Sequence, residues 1–170
     1  MTHRLPELWQ SSPIAFWLVV ACLCYFVWMA ARLAVIDIRS HLLPNRIVLP
    51  SYWTAVPLTV AAAIAAGGFD LGAALRVLGG GAVLWLAYFV LRVIYPAGMG
   101  FGDVKLAGVL GLYLGFLSWS HLFWATAAAF LLGGLFGVAL IVSRRGTAKS
   151  AIPFGPFMLA GAVLALALPA

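Results

Sequence analysis

The chain has 170 residues, 65% of them hydrophobic and 8% charged, with a formal net charge of +6. Soluble domains carry roughly 25% charged residues, so the composition excludes one and indicates an all-α, polytopic membrane protein, read as one domain over residues 1–170. On such a chain the positive charge reports orientation in the bilayer, and no nucleic-acid partner is expected.

A spanning helix needs about 20 apolar residues. In chain order, residues 14–36 form the first candidate and 47–66 the second, with a bend expected at Pro57. Residues 71–95 form the third, with Arg76 and Arg92 near its ends, placed to snorkel outward. Residues 104–117 make a short fourth, 119–142 a fifth and 152–168 a sixth. At about 1.5 Å per residue the fourth reaches only about 21 Å, against a hydrocarbon core of about 30 Å. It is read as a short span continued by the extended, glycine-rich stretch 98–102, which must be buried in protein or line water. The first 13 residues lack the pattern of a cleavable signal peptide. Cys22 and Cys24 sit two apart on one helix, on different faces, and are read as packing residues.

Six transmembrane helices place alternate loops on one side. Arg32, Arg39, Arg46, Arg92, Lys105, Arg144, Arg145 and Lys149, eight of the ten basic residues, flank or occupy loops 1–2, 3–4 and 5–6. Basic loops stay inside, so both termini are expected outside, with the three basic loops in the cytoplasm. The four acidic residues are Glu7, Asp37, Asp70 and Asp103. Asp70, behind two glycines before the third span, reads as a helix cap. Asp37 and Asp103 fall at the cytoplasmic edges of apolar helices, where each costs about 2.5–3.5 kcal/mol on insertion scales.

Two carboxylates brought together share a proton, which allows one to take a proton from water while the other polarises a carbonyl. Asp37 ends the first helix, where the negative end of the dipole favours the protonated acid. Asp103 follows glycines and begins a helix, whose free N–H groups favour the carboxylate. The sequence therefore casts Asp103 as the base and Asp37 as the initial acid. The chemistry expected is that of an intramembrane aspartyl peptidase. His3, His41 and His121 are scattered without metal-ligand spacing, so no metal and no cofactor are expected; His41 is the histidine nearest Asp37 in sequence.

Gly100-Phe-Gly-Asp103 has the form of the GxGD motif of intramembrane aspartyl proteases. Its extension through Lys105 and Leu106 resembles the type IV prepilin peptidase family, as do Asp37 followed by Pro44-Asn45 and the segment Ile152-Pro-Phe-Gly-Pro-Phe157. The resemblance implies an Asp37/Asp103 catalytic pair cutting the leader of pilin-like precursors at the cytoplasmic face of the bacterial inner membrane. Larger members carry an amino-terminal extension with paired CxxC motifs and also N-methylate the new terminus. This chain begins at its first span, resembles the short form of tight-adherence (Flp) pilus systems, and is not expected to methylate.

The remaining motif residues read as supports. Pro44 ends the loop and Asn45 is expected to cap the second helix. Gly100 and Gly102 shape the approach to Asp103, and Lys105 brings positive charge near the pair or meets lipid phosphate. Pro153, Gly155 and Pro156 are expected to keep part of the last segment non-helical, offering backbone groups to an extended substrate or marking a plain kink. The competing reading is a small proton- or ion-coupled carrier using the aspartates as a relay. Both aspartates lying near one face, and the lack of an inverted repeat, argue against it.

Overall fold

Backbone amides inside a bilayer have no water to bond, and an apolar chain satisfies them within helices. The computed structural model describes residues 9–10, 12–40, 42–67, 71–96, 98–144 and 152–167, and every element among them is an α-helix. In order these are α1 (Pro13–Ser40), α2 (Asn45–Gly67), α3 (Leu71–Ile94), α4 (Phe101–Leu117), α5 (Trp119–Val142) and α6 (Gly155–Ala167). Four of them, α1, α2, α3 and α5, are long and apolar enough to cross a membrane, which fits a multi-pass membrane protein. The second expected span contains Pro50 as well as Pro57 within its helix. The sixth segment is part non-helical, as its prolines implied: residues 152–154 are extended or irregular and the helix begins at Gly155.

The short α4 is the core of the bundle. Fourteen of its 17 residues are buried, and it contacts α2, α3, α5 and α6. A helix of that length spans about 25 Å, and its enclosure by neighbouring helices removes the need to match the hydrocarbon thickness alone. Its closest neighbour is α3, and glycine makes the approach possible. A Cβ on Gly80 would lie 2.6 Å from the Gly111 carbonyl oxygen, and one on Gly115 would lie 2.6 Å from that of Arg76. Backbone therefore packs on backbone, the small-residue geometry of membrane helix pairs.

Arg76 and Arg92 do not reach outward as their positions suggested. Arg76 Nε donates to the Gly115 carbonyl at 2.9 Å and an NH2 group to that of Phe116 at 3.4 Å, capping carbonyls at the end of α4 that lack helical partners. Arg92 donates to the Met99 carbonyl at 2.8 Å, ahead of the other end of α4. The two arginines of α3 thus bracket α4. Asp70 and His41 lie outside the described residues.

Candidate active site

Asp103 is the third residue of α4, so the helix starts two residues earlier than the motif implied. Its Oδ2 reaches back to accept the Gly100 N–H at 3.0 Å, the acidic half of a capping box. The return bond comes from backbone, with the Asp103 N–H donating to the Gly100 carbonyl at 3.2 Å. Asp103 is buried at 8% exposure and lies within electrostatic reach of Asp37 and of the Arg92 guanidinium. Tyr88, buried one turn before Arg92 on the same face of α3, also feels the Asp103 charge.

Asp37 lies in the last turn of α1, 4% exposed. Its Oδ2 accepts the Gly155 N–H at 3.1 Å across 118 residues of sequence. Gly155 opens α6, and the Phe154 carbonyl accepts from Phe157 and Met158, both at 3.1 Å, so the Gly155 N–H is a first-turn donor without a helical acceptor. Pro156 follows and has no N–H to satisfy. Of the three residues expected to keep part of this segment non-helical, Gly155 and Pro156 lie in the helix itself, and the Gly155 N–H faces Asp37 instead of standing open for a substrate. Pro153 lies in the non-helical lead, which the Phe154 ring anchors against Phe130 at 5.1 Å and Tyr88 at 6.4 Å.

These contacts change the expected asymmetry of the pair. Asp37 ends α1, where the dipole disfavours negative charge, yet its oxygen also meets the start of α6, where the dipole favours it. Each aspartate therefore receives one backbone N–H, from Gly155 or from Gly100, at the start of a helix. Helix ends no longer distinguish acid from base.

The two aspartate motifs are held together by further contacts. A Cβ on Gly102 would lie 2.8 Å from Leu43 Cβ, so the loop after α1 rests on the glycine before Asp103. Lys105 Nζ donates to Asn45 Oδ1 at 2.9 Å and stands 4.8 Å from the Phe101 ring centroid, with Arg92 Cζ 5.3 Å from the same ring. Asn45 is accordingly not the cap expected. The Pro44 carbonyl accepts from Ile47 at 3.0 Å and Val48 at 3.2 Å, which makes Pro44 the residue that launches α2. The Asn45 side chain is spent on Lys105.

Asp37 in α1, Gly100–Lys105 at the head of α4 and Gly155 at the head of α6 thus converge from three separate stretches of chain. The model of the type IV leader peptidase family matches residues 14–138, which include both aspartates. The chain belongs to this family. It is 33% identical over 142 residues to the prepilin leader peptidase/N-methyltransferase of Aeromonas salmonicida (strain A449), covering 82% of this chain and 46% of that protein. The Pseudomonas putida protein of the same name is 32% identical over 141 residues, covering 77% and 44% of the two chains. The Bacillus subtilis protein of that name is 31% identical over 140 residues, covering 82% and 52%. The chain spans about half the length of the curated relatives it matches. No solved structure gives a significant match.

Within the leader peptidase family frame, sequence reasoning missed Tyr88, Arg92 and Tyr52 as neighbours of the site. The first two carried a usable signal: they are four residues apart on α3, hence on one face, and Arg92 shortly precedes the glycine motif. Tyr52 carried none, since its partner lies on another helix.

Proposed function

We propose that the chain is an intramembrane aspartyl endopeptidase that removes the leader peptide of type IV, Flp-like prepilins, with Asp37 and Asp103 as its catalytic pair. The observation that carries this reading is that the two buried carboxylates, of α1 and α4, flank one side chain: Leu43 packs on Gly102, next to Asp103, and on Gly155, whose N–H bonds Asp37. Family membership and relatives named as prepilin leader peptidases support the substrate class. In the proposed reaction one carboxylate takes a proton from water as its oxygen attacks the scissile carbonyl carbon. The other, protonated, donates a hydrogen bond to the carbonyl oxygen. Collapse of the tetrahedral intermediate transfers a proton to the leaving amine and breaks the C–N bond.

The proposal extends to topology. Residues 1–170 form one membrane domain, α4 and α6 complete six spans, both termini are outside, and the pair faces the cytoplasm from the inner membrane. The distribution of basic residues supports this orientation. Prepilins and the lipid bilayer are the partners; methyl transfer is not part of the proposal.

The test is cleavage of a prepilin by the purified protein in liposomes. Asp37→Asn and Asp103→Asn each abolish processing while the protein inserts and folds as before. Substantial cleavage by either variant at equal protein level overturns the aspartyl mechanism, and loss of proton-coupled ion flux without any parental cleavage favours a carrier.

A further inference from the structure

Two side chains of α2 converge on one residue of α4. Asn45 holds the Lys105 ammonium at 2.9 Å, and Tyr52, about two turns further along α2, donates its hydroxyl to the Lys105 carbonyl at 2.6 Å. A backbone carbonyl has two lone pairs, so Lys105 can accept this bond in addition to its helical one. The phenol reaches the backbone because Gly108 has no side chain. A Cβ there would collide with the Tyr52 hydroxyl and lie 3.2 Å from Trp85 Cδ1. Tyr52 is thus seated in a notch between α4 and α3, half-buried and packed on the core.

The placement matters because of what the α3–α4 contact leaves free. Glycine on glycine and the Arg76 and Arg92 bonds hold α4 to α3, but none of these contacts stops the α3–α4 pair from sliding along α2, the helix that follows the Asp37 loop. A slide of one residue moves Asp103 by about 1.5 Å, and a misplacement of about 1 Å in a catalytic group can cost about 100-fold in rate. A hydroxyl seated at Gly108 and bonded to the carbonyl two residues beyond Asp103 opposes that slide. Through α2, which begins just after the loop from Asp37, it ties the two motifs together.

We propose that Tyr52 is a positioning residue of the site: its hydroxyl, seated at Gly108 and bonded to the Lys105 carbonyl, sets α4 against α2 and so Asp103 against Asp37. The catalytic consequence rests on the aspartyl peptidase reading above; the clamp itself is a statement about helix placement.

The test has two arms. In liposomes with prepilin, Tyr52→Phe lowers kcat about tenfold with KM within about twofold, the signature of a misplaced catalytic group. Gly108→Ala lowers kcat further, because the new methyl expels the hydroxyl. The double variant Y52F/G108A falls between G108A and Y52F, since loss of the hydroxyl removes the closest clash while a Cβ at 108 still lies 3.0 Å from the ring Cζ and 3.2 Å from Trp85 Cδ1. The second arm needs no catalysis: in a background with Cys22 and Cys24 changed to alanine, the single variant L43C, whose side chain rests on Gly102, reports how closely the motif loops pack by its rate of reaction with a thiol reagent. Adding Y52F raises that rate several-fold. A parental kcat per folded molecule in Y52F, or an unchanged labelling rate, overturns the clamp, even where Y52F reduces the amount of folded protein. If the parent does not cleave prepilin but Y52F speeds labelling, the peptidase reading fails and the clamp stands. If the parent cleaves, Asp103→Asn is dead and Y52F changes nothing, the reverse holds.

Discussion

Adding one methyl group at position 155 tests whether the Gly155–Asp37 contact organises the site. The Gly155 N–H donates to Asp37 Oδ2 at 3.1 Å, and a Cβ on Gly155 would lie 2.6 Å from that oxygen and 3.3 Å from Asp37 Cγ. Ordinary contact begins near 3.4 Å, so the carboxylate must retreat by close to 0.8 Å or turn away. The α6 backbone has little room to yield. A Cβ on Gly161 would meet the Ala125 carbonyl of α5, and Phe154 is held among the rings of Phe130 and Tyr88. The displaced oxygen loses a charge-assisted hydrogen bond, a loss of about 1.5–3 kcal/mol. If that bond holds Asp37 in its reacting position, Gly155→Ala lowers kcat about 10- to 150-fold. The assay is prepilin cleavage in liposomes under saturating substrate, with thermal unfolding to confirm an intact fold. Gly134→Ala is the matched control, because nothing lies within 4 Å of a Cβ there. A G155A protein that cleaves at the parental rate refutes the reasoning and leaves Gly155 as a helix start without influence on Asp37.

Other perturbations reach other parts of the scaffold. Asn45→Ala and Lys105→Ala share one bond, so each lowers cleavage and the double variant is no worse than Lys105→Ala; fully additive losses in that cycle exclude the coupling. Arg76→Ala leaves the Gly115 and Phe116 carbonyls without their cap and lowers stability in detergent by about 1.5–3 kcal/mol, measured by unfolding; an unchanged unfolding curve removes Arg76 from the account. Gly111→Val forces α3 and α4 apart and abolishes accumulation of folded protein, read by size-exclusion of the detergent extract. For topology, Ser40→Cys in a background free of Cys22 and Cys24 resists an impermeant thiol reagent in intact cells and reacts after lysis; labelling from outside reverses the orientation.

The helices themselves could be read directly from the chain, as could the two motif aspartates. Lipid imposes its demand one segment at a time: about 20 apolar residues must bury their own amides, and a carboxylate among them stands out wherever it falls. That is why α1, α2, α3 and α5 match the expected spans closely, and why Asp37 and Asp103 were visible beside Asp70. Which faces meet was not visible, because on a helix apolar all round periodicity cannot separate the lipid side from the protein side. The burial of α4 on every face, and the turning of Arg76 and Arg92 onto its ends, follow from glycine contacts between two helices. Asn45 had the composition of a cap, yet the nearby Lys105 ammonium takes its oxygen. Gly155 read as a breaker in a proline-rich stretch, and its N–H becomes the partner of Asp37 only when α6 is laid against the end of α1. Local chemistry marks which groups cannot rest in lipid, but the partner that satisfies each one comes from a distant stretch of chain, and only the packed helices bring the two together.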